Sequence, residues 1–172
     1  SLIEGVNEWK YLHAVQGRDS HYELHSHNVG GSLKRQDFDI RLEGDGANFH
    51  LKSASFLSES RHIDQQITLN HLGKNTKSTQ VINNVADSKA TATCNGRIVI
   101  DNGSSKADAS LSNKNLALGD NVTFNAKPEL EIYNDDVSCS HGATISQLSE
   151  SELFYLTSRG VHPARAKNMM AR

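Results

Sequence analysis

From Tyr11 to about His141 the chain alternates apolar and polar residues with a period of two, in short runs broken by polar turns. A strand sends successive side chains to opposite faces, so this pattern specifies half-buried strands and excludes a helical bundle. Phe38, Ile40 and Leu42 share one face, with Asp37, Asp39 and Arg41 on the other. Phe49 and Leu51, Ile67 and Leu69, Ala90, Ala92 and Cys94, Ile98 and Ile100, Ala107, Ala109 and Leu111, and Leu130 and Ile132 repeat the pattern. Between the runs stand Gly30-Gly31, Gly44-Asp45-Gly46, Asn83-Asn84, Asn95-Gly96, Asn102-Gly103 and Gly119-Asp120. All six read as tight turns, because Gly and Asn tolerate positive φ.

Three architectures satisfy this pattern. Asn-Gly pairs between strands suit antiparallel hairpins. Many short strands suit a β-sandwich or cupin-like jelly roll. Small residues at inward positions (Ala54, Ala90, Ala92, Ala107, Ala109) suit the narrow interior of a parallel β-helix. No strict repeat is visible, so periodicity alone does not choose among them.

After Ser146 the period changes. Ser149-Glu150-Ser151-Glu152 is an acidic helix start, and Leu153, Phe154, Tyr155 and Leu156 follow at helical spacing. Gly160 ends that helix, and Pro163 opens a second, from Ala164 to Ala171. The expected organisation is a β core over residues 1–146 and a helical segment over 147–172. A helical cap there would cover the open end of a solenoid.

The 172 residues suffice for one domain with a core, and the net charge of -2 argues against nucleic-acid or anionic-membrane binding through bulk charge. The two cysteines, Cys94 and Cys139, lie far apart, so a disulfide framework is not expected and a reducing compartment fits. No apolar run approaches the roughly 20 residues of a membrane span. Glu4, Glu8 and Lys10 interrupt the N-terminus, which does not read as a secretory signal. The expectation is a cytoplasmic protein. Both ends read as cut: Ser1 to Gly5 carries no start signal, and the chain stops at Arg172 where a helix can still be running.

Val137, Cys139 and His141 share one parity, so one strand face carries a thiol and an imidazole. Two such ligands at i and i+2 lie about 7 Å apart at Cα, and a closed metal site usually needs four ligands. The competing reading is a buried thiol beside a hydrogen-bonded core histidine. His21, His25 and His27, with His13 upstream, form a second cluster that superficially matches cupin metal spacing and supports an alternative: a cupin-like or β-helical metal-dependent enzyme. No matching Glu and distal His follow it, and solvent-facing imidazoles explain it more simply. A secreted carbohydrate-binding or adhesive β-helix is a further alternative, weakened by the absence of an exposed aromatic stripe and by the buried-looking thiols. No phosphate loop and no Gly-x-Ser-x-Gly elbow is present. Asp135-Asp136 reads as an acidic turn, so the residues give no support for ATPase or hydrolase chemistry.

The run Lys127-Pro128-Glu129-Leu130-Glu131-Ile132-Tyr133, then Asp135-Asp136-Val137, Cys139-Ser140-His141-Gly142-Ala143-Thr144 and Phe154-Tyr155-Leu156-Thr157-Ser158-Arg159-Gly160 closely resembles the C-terminal part of the SufD family. SufD is a scaffold subunit of the SufB–SufC–SufD machine for iron–sulfur cluster assembly. The specific match covers about Leu118 to Gly160; upstream it is at the level of the fold. The resemblance implies a right-handed parallel β-helix and a non-enzymatic scaffold. It implies a homologous SufB-type partner and a SufC-type ABC ATPase docked on the helical end, around Phe154, Tyr155, Leu156, Arg159 and Gly160. It implies a transient iron–sulfur cluster at the SufB interface, near His141 and, less directly, Cys139, with no cluster held stably by the isolated chain. Set against that resemblance, the sequence is expected to be a fragment without the N-terminal helical region of that family and most of its C-terminal helical domain. An apolar remnant between Leu153 and Met170 would then favour homodimers in isolation.

Overall fold

All eight strand pairings are parallel, and the chain reaches them by alternating between two sheets. The computed structural model describes residues 5–170. The first sheet holds β1 (Asn7–Gln16), β3 (Leu33–Leu42), β5 (His62–His71), β7 (Thr91–Ile100) and β9 (Thr123–Ile132), in that order. The second holds β2 (His21–Val29), β4 (Asn48–Leu57), β6 (Lys77–Ala86), β8 (Ala107–Ala117) and β10 (Val137–Gln147). Each coil gives one strand to each sheet, making a parallel β-helix of five coils, in the right-handed sense that parallel crossovers follow. Hairpins and a jelly roll are thereby excluded for the described residues. Coil length runs from 26 residues (Asn7 to Leu33) to 32 (Thr91 to Thr123), which hides the repeat from a fixed-period search.

The turns stack as the strands do. Asp19, Gly46, Asn75 and Lys106 occupy equivalent corners of successive coils with φ of 53°, 73°, 54° and 59°. Each points its amide at the next coil: Asp19 N–H donates to Asp45 O, Gly46 to Lys74 O, Asn75 to Ser105 O and Lys106 to Asp136 O, at 2.6–2.9 Å. The left-handed conformation costs a non-glycine residue about 1–2 kcal/mol, which the hydrogen-bonded column offsets.

Two of the six expected turns lie inside strands. Asn83 and Asn84 belong to β6, and Asn95 and Gly96 to β7. Asn84 faces inward and donates through Nδ2 to Asn115 Oδ1 of the next coil at 2.9 Å. At Gly96 a Cβ would stand 2.3 Å from Leu111 Cδ1, so the glycine makes room for a side chain from the opposite sheet. Ala54 is also placed differently: it faces solvent, and its neighbours Ser53 and Ser55 face the interior.

Inward residues form columns along the solenoid axis. Ile40, Leu69, Ile98 and Leu130 stack in one. Asn28, Ser55, Asn84 and Asn115 stack in another. Buried amides are costly unless paired. Here Gln36 Nε2 donates to Asn28 Oδ1 at 2.8 Å, and Gln65 Nε2 to Gln36 Oε1 at 3.0 Å.

The chain ends in α1 (Glu150–Ser158) and α2 (Pro163–Met170). Ser149 caps α1, its side chain accepting from the Glu152 amide at 3.3 Å, and Gly160 follows the helix at φ 84°. Ser1 to Glu4, read from the sequence as a cut end, and Ala171, its expected helix end, lie outside the described residues. No helix among the described residues is long and apolar enough to cross a membrane. The expected cap does not form over the β10 inner face. α1 has no buried residue, and inward-parity Ile145 of β10 remains 61% exposed.

Candidate functional site

Strand parity places Cys139 and His141 as expected, but their environments differ. In β10 Cys139 stacks on Ala109 and His141 on Leu111, both inward columns. Val137 and Cys139 pack against the cluster of Ile98, Ile100, Ala107, Ala109 and Leu111. His141 has the same parity but is exposed. β9 and β10 end their sheets, so no further coil stacks over this face among the described residues. The competing reading of a core histidine beside the thiol is corrected accordingly. The coil is open, and His141 stands at its mouth.

The two thiols have different chemistry. Burial pushes the Cys94 thiol up to about 12, with the Asp64 charge adding to the rise. Burial also raises Cys139, partly opposed by a hydrogen bond with the Ala109 backbone. Neither is a ready thiolate, but Cys139 is only half-buried. Iodoacetamide at pH 8 is expected to alkylate Cys139 in the folded chain, with Cys94 reacting only after denaturation, as read by peptide mass spectrometry. Alkylation of both at equal rates would contradict this placement.

Cys139 and His141 do not make a metal site by themselves. Among the described residues no group of three or more His, Cys, Asp or Glu side chains could hold a metal ion. The donor set at the last coil is one half-buried thiol and one free-standing imidazole, which suits a shared site.

His21, His25 and His27 lie on the outer face of β2, at the far end of the second sheet from β10. Two of the three side chains, His25 and His21, are engaged with neighbours on that surface. His25 Nε2 meets Glu23 Oε1 at 2.9 Å, and Lys52 Nζ meets the same oxygen at 2.7 Å. Lys52, then His25, hold the Glu23 carboxyl down to about 2. The His21 ring lies against His50, with centroids 5.4 Å apart. The fold does not bring this cluster to Cys139 and His141.

In α1, Phe154 and Tyr155 are 73% and 57% exposed, and the Arg159 guanidinium sits 5.2 Å from the Tyr155 ring centre. Leu156 is half-buried and Gly160 exposed. Beside the last coil lies an open cavity of about 500 Å³, lined by Val122, Phe124, Ile145 and Gln147. Sequence reasoning did not single out Ile145. Its inward parity was readable, but parity does not reveal that no further coil covers it among the described residues.

Residues 4–172 match the SufBD core domain of the SUF system for FeS cluster assembly. The chain is 32% identical to the iron–sulfur cluster assembly protein SufD of Escherichia coli over 85% of its own length and 34% of that protein. It is 33% identical to an iron–sulfur cluster assembly SufBD family protein of Synechocystis over 91% of this chain and 34% of the relative. It is 29% identical to SufB of Bacillus subtilis over 83% of this chain and 31% of the relative. The chain thus spans about a third of the length of these relatives. A five-coil parallel β-helix matched over nearly its whole length by that domain belongs to the SufBD core family of iron–sulfur cluster assembly proteins.

Proposed function

We propose that this chain is a non-catalytic scaffold element in iron–sulfur cluster assembly. Its last coil pairs with a homologous SufB-type subunit, and its helical end meets a SufC-type ABC ATPase. The observation that carries the reading is the exposure of His141 on an inward-parity position of an uncovered coil. An imidazole there is free to take a cargo metal ion or sulfide-bridged cluster, while the partner supplies the remaining ligands. The outer edges of β9 and β10, unpaired among the described residues, offer backbone donors and acceptors to a second chain, the chemistry of strand addition. Exposed Phe154 and Tyr155 supply aromatic anchors of the kind that dominate interfaces. Nucleotide hydrolysis would belong to the ATPase, and the cluster is cargo.

The test is His141→Ala in the full complex. An exposed side chain makes few packing contacts, so stability should change by no more than about 0.5 kcal/mol. Cluster formation, followed by visible absorbance and acid-labile sulfide, should fall by at least about tenfold, the loss of about 1.4 kcal/mol in a binding step. Unaltered cluster formation with an intact complex would remove His141 from the mechanism. Failure of the wild-type complex to assemble with SufB- and SufC-type partners would remove the scaffold reading itself.

A further inference from the structure

The outer face of the first sheet carries a feature at the end opposite the last coil. Trp9 and Tyr11 leave the same face of β1 and are 77% and 64% exposed. The sequence showed no exposed aromatic stripe, and this pair is a local aromatic patch rather than a stripe. The two rings border an open depression of about 520 Å³ that continues over Asp39 and Thr68.

The rings are held in a charged frame. Trp9 Nε1 donates to Asp37 Oδ2 at 2.7 Å, fixing the indole over the sheet. Arg35 is bound on one side by Asp37, at 2.7 Å, and on the other by Asp64. Among the described residues Asp39 meets the His13 ring at 2.9 Å and, more distantly, the Asn70 amide at 3.4 Å. The depression is therefore lined by two carboxylates, Asp37 and Asp39, and one guanidinium, Arg35, which Asp64 also pairs from outside it, so the surplus is negative. Aromatic faces add negative potential of their own.

We infer that this depression recognises an arginine side chain of a basic protein segment, stacked against Trp9 and Tyr11 and paired with Asp39. A planar guanidinium fits both halves of the site. It stacks on an aromatic face and forms a two-pronged hydrogen bond to a carboxylate. An anionic partner is repelled by the surplus charge, and a neutral sugar would gain nothing from it. Among the described residues β1 and β9 lie at opposite ends of the first sheet, so a partner bound here leaves the last coil free.

The chain has a single tryptophan, so its emission reports on this site alone. The probe is a short arginine–glycine peptide, titrated at low ionic strength, with a glutamate–glycine peptide and maltohexaose as comparisons. A saturable change in emission is expected with the arginine peptide only. Asp39→Asn should weaken binding about fivefold, the equivalent of about 1 kcal/mol for an exposed contact. Thr68→Arg, which places a fixed cation in the depression, should abolish it. Asp135→Asn, in a remote exposed turn, should leave it unchanged. Melting curves identify any variant that fails to fold. No saturable response, a response to maltohexaose, or equal weakening by Asp135→Asn would overturn the assignment.

Discussion

Gly44→Ala is expected to destabilise the fold by about 3 kcal/mol or more, the upper part of the range for overpacking. A Cβ at Gly44 would stand 2.0 Å from the Arg18 amide nitrogen and 2.2 Å from the Gly17 carbonyl carbon. Both are backbone atoms of the preceding coil, so no side chain can rotate away. The next coil repeats the constraint: a Cβ at Gly73 would stand 2.6 Å from the Gly44 carbonyl carbon and oxygen. Relief would require the stacked corners to separate. That would break the column in which the Gly46 amide donates to Lys74 O at 2.8 Å. Urea unfolding of Gly44→Ala against Gly103→Ala measures the effect. At Gly103 the nearest atom to a new Cβ is 3.9 Å away, so that change should cost no more than about 0.5 kcal/mol. Equal midpoints for the two variants would mean that the corners are not stacked as described.

Acid is expected to destabilise the chain between about pH 6.5 and pH 4 through His71. The ring is fully buried, with Nδ1 2.8 Å from Thr76 Oγ1 and Nε2 2.9 Å from Ser78 Oγ. The Thr76 hydroxyl itself donates to Gly73 O at 3.3 Å. It therefore accepts from Nδ1–H, and Nε2 accepts from Ser78, which is the pattern of a neutral ring. Burial lowers its pKa from 6.5 to about 4, with the Asp108 charge opposing weakly. The unfolded ring takes up a proton near pH 6.5 and the folded ring does so only near pH 4. Unfolding therefore gains protons across that window, and stability falls as the pH is lowered through it. At 1.36 kcal/mol per pKa unit the loss by pH 4 is about 3 kcal/mol. Denaturation at pH 7, 5.5 and 4.5, compared with His71→Gln, isolates this contribution from that of the carboxylates. The wild type should lose more stability than the variant; parallel pH profiles would show that the ring is not held neutral.

The strands were legible because each carries its own alternation. Phe38, Ile40 and Leu42 declare an inward face without reference to any neighbour, and the structure buries all three. The helical segment was legible for a similar reason: Ser149 caps and Gly160 terminates through local backbone chemistry. Asn95-Gly96 misled because the same residues serve a hairpin turn and a crowded strand interior. Only the approach of Leu111 from the other sheet distinguishes the two uses. Ala54 misled because a small residue fits either face, whereas the polar Ser53 and Ser55 take the inward positions beside Gln65 and Asn28. Sheet direction was not legible from periodicity, since parallel and antiparallel strands alternate alike; the resemblance to a known family supplied it.

By itself, then, the sequence determined the strand faces, the shared parity of Cys139 and His141, and the local ends of the first helix. The tertiary structure decided which inward positions are covered. Cys139 is half-buried against Ala109 and its neighbours, while His141, two residues on, faces solvent. The same division explains Trp9 and Tyr11, whose outward parity was readable but whose framing by Arg35, Asp37 and Asp39 comes from the next coil. Parity is a property of one strand, whereas burial and charge at a site depend on chain some 30 residues away, brought alongside by the coil.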